Sequence, residues 1–168
     1  MMCCATVHPP IVKTAIWLDE AATQSFAARL AKQPALRDAF IQLRGDLGAG
    51  KTTLVRHLLR ACGVVGRIKS PTYAVVEPYE LPGWSIWHFD FYRFTDPREW
   101  EDAGFRDIFA SPGLKLAEWP DKAAACLPVA DLDLELTVLD DTRRAVILHA
   151  NSDAGVALLQ ALDSEVHT

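Results

Sequence analysis

The chain has 168 residues with 50% hydrophobic and 23% charged side chains, a formal net charge of -5 and a sequence pI near 5.5. That length and apolar content fit one globular domain able to bury its own core. The acidic balance excludes a broad phosphate-neutralising face, so any link to nucleic acid is expected to be indirect or local.

No stretch approaches the ~20 apolar residues of a spanning helix, and the opening MMCCATVHPP has neither the basic start nor the apolar run of a leader. Cys3, Cys4, Cys62 and Cys126 make no C-x-x-C pair. The expectation is a cytoplasmic protein with reduced thiols, away from any membrane, with about residues 1–12 as a flexible tail.

In chain order, Thr14 to Asp19 reads as a short strand, and Glu20 to Gln33 as a helix with Phe26 and Leu30 at helical spacing. AFIQLRGDL supplies a second strand through Phe40, Ile41 and Leu43. It runs directly into GDLGAGKTT, Gly45 to Thr53, followed by a helix from Lys51 to Cys62 that buries Leu54, Val55, Leu58 and Leu59 and stops at Gly63, a C-cap glycine. YAVVEPYEL and WSIWHFDFYRF predict two strands around a Pro82-Gly83 turn. Asp96-Pro97 opens a short acidic helix that breaks at Gly104, and GLKLAEW is a compact strand. DLDLELTVL and RRAVILHA form an antiparallel hairpin across DDT, and DAGVALLQAL closes the chain as an amphipathic helix. The order predicts one α/β domain over residues 1–168, a three-layer α/β/α arrangement of the P-loop NTPase type with a mixed, mostly parallel sheet and a C-terminal hairpin.

GDLGAGKTT fits G-x-x-x-x-G-K-[ST], with Gly45, Gly50, Lys51 and Thr52 on the fixed positions. Gly45 and Gly50 let backbone N–H groups wrap phosphate oxygens, Gly48 adds slack, and the helix start aims its positive end at the anion. Lys51 would reach the β- and γ-phosphates of ATP, Thr52 would offer its hydroxyl to Mg²⁺, and Thr53 would face the α-phosphate.

Such a site also needs an acid near the metal. Glu118 ends an apolar strand just before Pro120, at the sheet edge where phosphates sit in open α/β folds. It is the first choice for the Mg²⁺ or water-orienting acid, against the plainer reading of a solvated residue ahead of a turn. Asp90 lies in an aromatic strand where an unpaired carboxylate is costly. It would serve the same site from the neighbouring strand, or pair with Arg93. Ser70, Pro71, Thr72 and Tyr73 stand between helix and strand, either as a segment that closes on the γ-phosphate and Mg²⁺ or simply as a turn. His88 reads as a packed, hydrogen-bonded core residue with a catalytic base as the minority alternative. Trp84, Trp87, Trp100 and Trp119 read as core or partner surface, with a nucleobase shelf as the minority alternative.

A small-molecule P-loop kinase would need a lid that supplies clustered arginines. Arg67, Arg93, Arg98, Arg106, Arg143 and Arg144 are scattered, which favours an ATPase that changes shape. A nucleotide-dependent binding module is the third class.

GDLGAGKTT, KSPTYAVVEPY, WHFDFYR, DAGFRDIFA and LAEWP, in that order, closely resemble the bacterial TsaE (YjeE) family from about Leu18 to Thr142. The resemblance implies an ATPase that works with TsaB and TsaD to form the threonylcarbamoyl group on adenosine 37 of tRNA, meeting the tRNA only through that complex. It maps Gly48, Ala49, Gly50, Lys51, Thr52 and Thr53 onto the family's phosphate loop. Thr52 and Glu118 fall on its Mg²⁺ ligands, Asp90 on its second acid, and Ser70 to Tyr73 on its switch-like segment. Glu20 and Thr142 are implied as contacts on the adenine side of bound ATP or ADP. Phe91 stands where the family often carries an aliphatic residue, a departure that touches packing and leaves the acid alone.

Overall fold

The structure, a computed structural model, describes residues 11–163. The expected tail, including Cys3 and Cys4, therefore lies outside the described residues apart from Ile11 and Val12, which already pair with Ala150 and His149.

Seven strands form one sheet: β1 (Ile11–Trp17), β2 (Phe40–Arg44), β3 (Val76–Leu81), β4 (Trp84–Asp90), β5 (Leu114–Glu118), β6 (Leu132–Val138) and β7 (Arg144–Ala150). Their spatial order is β1-β7-β6-β2-β5-β4-β3. The parallel pairings expected from the sequence occupy the centre, β6 with β2, β2 with β5 and β5 with β4. The flanks are antiparallel: β1 with β7, β7 with β6, and β3 with β4. The C-terminal hairpin is present as β6 and β7.

Helices α1 (Glu20–Ala31), α2 (Lys51–Cys62) and α5 (Asp153–Asp163) cover one face. Phe26 and Leu30 of α1, Leu54, Val55, Leu58 and Leu59 of α2, and Leu158 and Leu159 of α5 share a core with Ile41, Leu43, Leu114, Leu116, Leu132 and Leu134 of the sheet. The short helices α3 (Pro97–Asp102) and α4 (Phe105–Ala110) serve the other face. There Trp100 and Phe105 pack on Phe40, Phe89 and Phe91. Strand alternation explains the division: Phe40 and Phe89 point one way, Ile41 and His88 the other. Phe91 is fully buried and stacks 5.5 Å from Phe89, with Trp100 and Phe105 around it. The larger ring is accommodated within an aromatic cluster.

Local signals account for most boundaries. Asp19 accepts the Ala22 N–H at 3.0 Å as the N-cap of α1, and Asp96 accepts from Arg98 as the cap of α3 with Pro97 in its first turn. Gly63 closes α2 at φ 107°, and Gly104 at φ 71° separates α3 from α4. Two strands are shorter than the sequence pattern suggests. β3 starts only at Val76, because Val75 adopts φ 68°, outside strand geometry. β4 stops at Asp90, whose Oδ1 accepts the Tyr92 N–H at 2.9 Å and turns the chain. Beyond Ala31 the chain passes into a 3₁₀ turn, Pro34–Asp38, which has no periodic signal in the sequence. No helix among the described residues is long and apolar enough to cross a membrane.

One edge of the sheet gathers the ends that matter. β2, β4 and β5 run parallel and finish there at Arg44, Asp90 and Glu118. Trp17, Val138 and Arg144 lie at the same edge through the β1-β7-β6 pairings, and Val76 through its pairing with Phe89. Open α/β sheets bind ligands in the crevice at such carboxyl ends.

Candidate functional site

The glycine-rich turn leaves β2 and enters α2 at that edge. Gly45, Gly48 and Gly50 all take positive φ, at 145°, 80° and 105°. A Cβ on Gly45 would sit 2.5 Å from the Leu136 carbonyl oxygen, so this position needs glycine for close approach to β6 as well as for its torsion. Gly48 and Gly50 have open space around them. Their glycine requirement is purely torsional.

Lys51 is 5% exposed and lies over the turn, its ammonium donating to the carbonyls of Gly45 and, at 3.0 Å, of Asp46. The same ammonium stands 4.2 Å from the centre of the Trp119 ring. Burial lowers the Lys51 pKa, against which Glu118, Asp90 and Asp46 act to raise it. Trp119 reaches this place because it holds φ 54° between Glu118 and Pro120, with its ring 5.0 Å from Tyr92.

Glu118 is 2% exposed, and both of its oxygens are engaged. Thr52 Oγ1 donates to Oε1 at 2.8 Å, and His88 Nε2 lies 2.6 Å from Oε2. Asp90 is directly opposite Glu118 in the β4/β5 register. Burial pushes its carboxyl above the ordinary range; the Tyr92 N–H bond opposes this and the nearby Glu118 charge adds to it. Arg93 does not pair with Asp90 and instead lies over the Tyr73 ring at 4.8 Å. The reading of Glu118 as a solvated turn residue and that of Asp90 as an Arg93 partner both give way to this geometry.

Two hollows adjoin the turn. One, of about 370 Å³, is lined by Gly48 to Thr53, Ser70, Thr72, Asp90, Glu118, Trp119 and Arg144. Thr72 is tied to Ser70 by a hydroxyl pair at 2.8 Å. The other, of about 310 Å³, is lined by Trp17, Glu20, Ala49, Gly50, Thr53, Thr142 and Arg144 among others. Glu20 is held there by His57 Nε2 at 2.9 Å. Thr142 is placed by the β6-β7 turn, where Asp140 accepts from the backbone of Thr142 and Arg143 and from the Arg143 side chain. Those bonds, led by the Arg143 N–H, hold the Asp140 carboxyl well below the usual range.

Gly48 to Thr53, Ser70, Thr72, Asp90, Glu118, Glu20 and Thr142 thus gather at one edge, whereas Trp84 sits at the far end of β4 beside the β3-β4 turn and Trp100 lies in the aromatic cluster. Two that were not assigned to that edge also arrive. Arg144 Nε donates to the Ala49 carbonyl at 3.1 Å and borders both hollows, clasping the turn from β7. His88 is buried in the core as its apolar strand predicts, and it also touches Glu118. The HFD spacing carries the signal for it, since His88 and Asp90 share a strand face.

The donor set suits a hard cation. Thr52 offers a hydroxyl, and Glu118 and Asp90 offer carboxylates, beside a turn shaped for phosphate. Among the described residues no group of three or more His, Cys, Asp or Glu side chains has metal-holding geometry. Two carboxylates and a hydroxyl match Mg²⁺, which is bound through one or two carboxylates plus nucleotide phosphates and water.

Comparison with known proteins adds to this. The family model described as "Threonylcarbamoyl adenosine biosynthesis protein TsaE" matches residues 17–146. The tRNA threonylcarbamoyladenosine biosynthesis protein TsaE of Haemophilus influenzae is 40% identical over 141 residues, 84% of this chain and 89% of the relative. The protein of the same name from Bacillus subtilis is 32% identical over 110 residues, 66% of this chain and 68% of that one. The crystal structure of Bacillus subtilis YdiB superposes with a TM-score of 0.73 at 23% identity, covering 95% of this chain and 99% of that one. That last likeness concerns the fold.

Proposed function

The chain belongs to the TsaE family of threonylcarbamoyl adenosine biosynthesis proteins, and from that premise we propose that it is a Mg²⁺-dependent ATPase subunit acting in the cytoplasm as a single P-loop domain. It assists a TsaB–TsaD pair in modifying adenosine 37 of tRNA, and meets the tRNA through that pair. The observation that carries this reading is the bond from Thr52 Oγ1 to Glu118 Oε1 at 2.8 Å, which joins the last residue of the phosphate motif to a buried acid at the end of β5.

Each residue has a task in this reading. Backbone N–H groups of Gly48 to Thr53 and the start of α2 bind the phosphates of ATP or ADP. Lys51 leaves the Gly45 and Asp46 carbonyls and turns to the β- and γ-oxygens. Thr52, Glu118 and Asp90 would hold Mg²⁺, which neutralises charge on the phosphates when bound. Glu20 and Thr142 border the hollow on the base side. Thr72 faces the phosphate hollow, so the segment Ser70 to Tyr73 can respond to the γ-phosphate.

A small-molecule kinase has less to rest on. Between α2 and β4 the chain supplies β3, not a helical lid, and α3 and α4 pack on the opposite face.

Phosphate release should be measured for the protein alone and with TsaB, TsaD and tRNA. Slow release alone and a clear rise with the partners is expected. Turnover indifferent to the partners would remove the coupling, and labelled γ-phosphate found on a metabolite would favour the kinase.

A further inference from the structure

We infer that His88 is a positioning residue that holds Glu118 in the rotamer a metal ion requires; the inference rests on the reading of Glu118 as a Mg²⁺-side acid. His88 and Leu116 are register partners, and Glu118 lies two residues further along β5 on the same face. The imidazole therefore reaches along the sheet to Oε2 at 2.6 Å, with the two side chains 1% and 2% exposed. A carboxylate oxygen accepts, so Nε2 carries the proton in this bond.

Two observations separate positioning from mere packing. First, His88 Nδ1 is buried and has no hydrogen-bond partner among the described residues. Space in this layer is filled elsewhere on the same strand face by Ile86, an apolar side chain that leaves no nitrogen unpaired. A ring kept here for bulk alone would carry the penalty of an unpaired buried polar atom and gain nothing from it. Second, the bond to His88 uses the oxygen that Thr52 does not. With Oε2 held by His88 and Oε1 bonded to Thr52, the carboxylate is fixed at both ends beside the phosphate hollow that Thr52 and Glu118 both line. His88 itself does not line that hollow, and its Nε2 is committed. It acts through Glu118 and not as a base.

Outer partners of this kind typically change metal affinity by about 10 to 100-fold when removed. The length of the side chain provides the discriminating test. Glutamine places an amide N–H near the position of Nε2; asparagine places one near Nδ1, too short to reach Glu118.

Mn²⁺ binding to the ADP complex should be measured by electron paramagnetic resonance for the parent, His88→Gln, His88→Asn and His88→Leu, together with ADP affinity in the absence of metal. Expected are a loss of about 10 to 100-fold in Mn²⁺ affinity for the Asn and Leu variants, a Gln variant within a few-fold of the parent, and unchanged metal-free ADP affinity. Equal Mn²⁺ affinity in parent and His88→Leu, or equal loss in His88→Gln and His88→Leu, overturns the inference while leaving the metal site standing. A parent that takes up no Mn²⁺ with ADP sinks the metal reading itself. Should the variants fail to fold, ¹⁵N shifts of the His88 ring in the parent decide: an Nε2-protonated ring supports the inference, and an Nδ1-protonated one overturns it.

Discussion

Asp90 and Glu118 end neighbouring parallel strands directly opposite each other, two buried carboxylates in one register pair. Burial lifts the Asp90 carboxyl above its ordinary value of 3.8, with Glu118 contributing. The folded protein therefore holds this proton more tightly than the unfolded chain. Stability from this group is fully present below the ordinary Asp range and is lost as pH rises through the raised value. Asp90→Asn, which keeps an oxygen for the Tyr92 N–H, is expected to be more stable than the parent at pH 7.5 without metal, with the gap closing in acid. Magnesium-dependent phosphate release should fall about a hundredfold or more. Urea unfolding at several pH values checks the first part, and a variant less stable than the parent at pH 7.5 would contradict it.

The Lys51 ammonium rests on the Trp119 ring at 4.2 Å, an attraction worth about 0.5 to 2 kcal/mol. Bound nucleotide should draw that charge to the phosphates and alter the environment of the indole. Tryptophan emission is expected to change on saturation with ADP and Mg²⁺, and Trp119→Phe should abolish most of the change while Trp84→Phe keeps it. A full signal in Trp119→Phe would place the source elsewhere.

Gly45 and Gly48 differ in what they demand. Gly45→Ala would press a methyl group into the Leu136 carbonyl, at 2.5 Å, in addition to its φ of 145°, whereas Gly48→Ala meets nothing within 4 Å and strains only φ. Losses of about 2 to 4 kcal/mol for Gly45→Ala and about 1 to 2 kcal/mol for Gly48→Ala are expected in denaturant unfolding. Equal losses would contradict the close approach to β6.

Burial raises the Cys62 thiol from 9.0 to about 11. At pH 8 its thiolate fraction is about a hundredfold below that of an ordinary thiol. Iodoacetamide should label Cys62 about a hundredfold more slowly in the folded protein than in urea, as followed by mass spectrometry. Labelling at the unfolded rate would show that the α2 terminus opens readily.

The phosphate turn, α2 with its Gly63 stop and the β6-β7 hairpin were legible because each depends on neighbours a few residues apart: positive-φ glycines, a 3.6-residue apolar period, strict alternation. The ends of β3 and β4 were less legible, since Val75 at φ 68° and the Asp90 turn interrupt runs that read as continuous strand. The 3₁₀ turn at Pro34–Asp38 carried no periodicity to find. The family was visible in five ordered motifs.

By itself, then, the chain determined that a glycine-rich turn of phosphate-loop pattern joins a strand to a helix, and that Glu118 and Asp90 lie in the later strands as candidate acids for it. Only the tertiary structure decided that Glu118 is shared between Thr52 and His88, that Lys51 rests on Trp119, and that Arg144 clasps the turn from β7. The physical reason is distance along the chain. These contacts join residues up to 95 positions apart, and they exist because the sheet's parallel and antiparallel pairings bring unrelated segments to one edge, a register that no local pattern encodes.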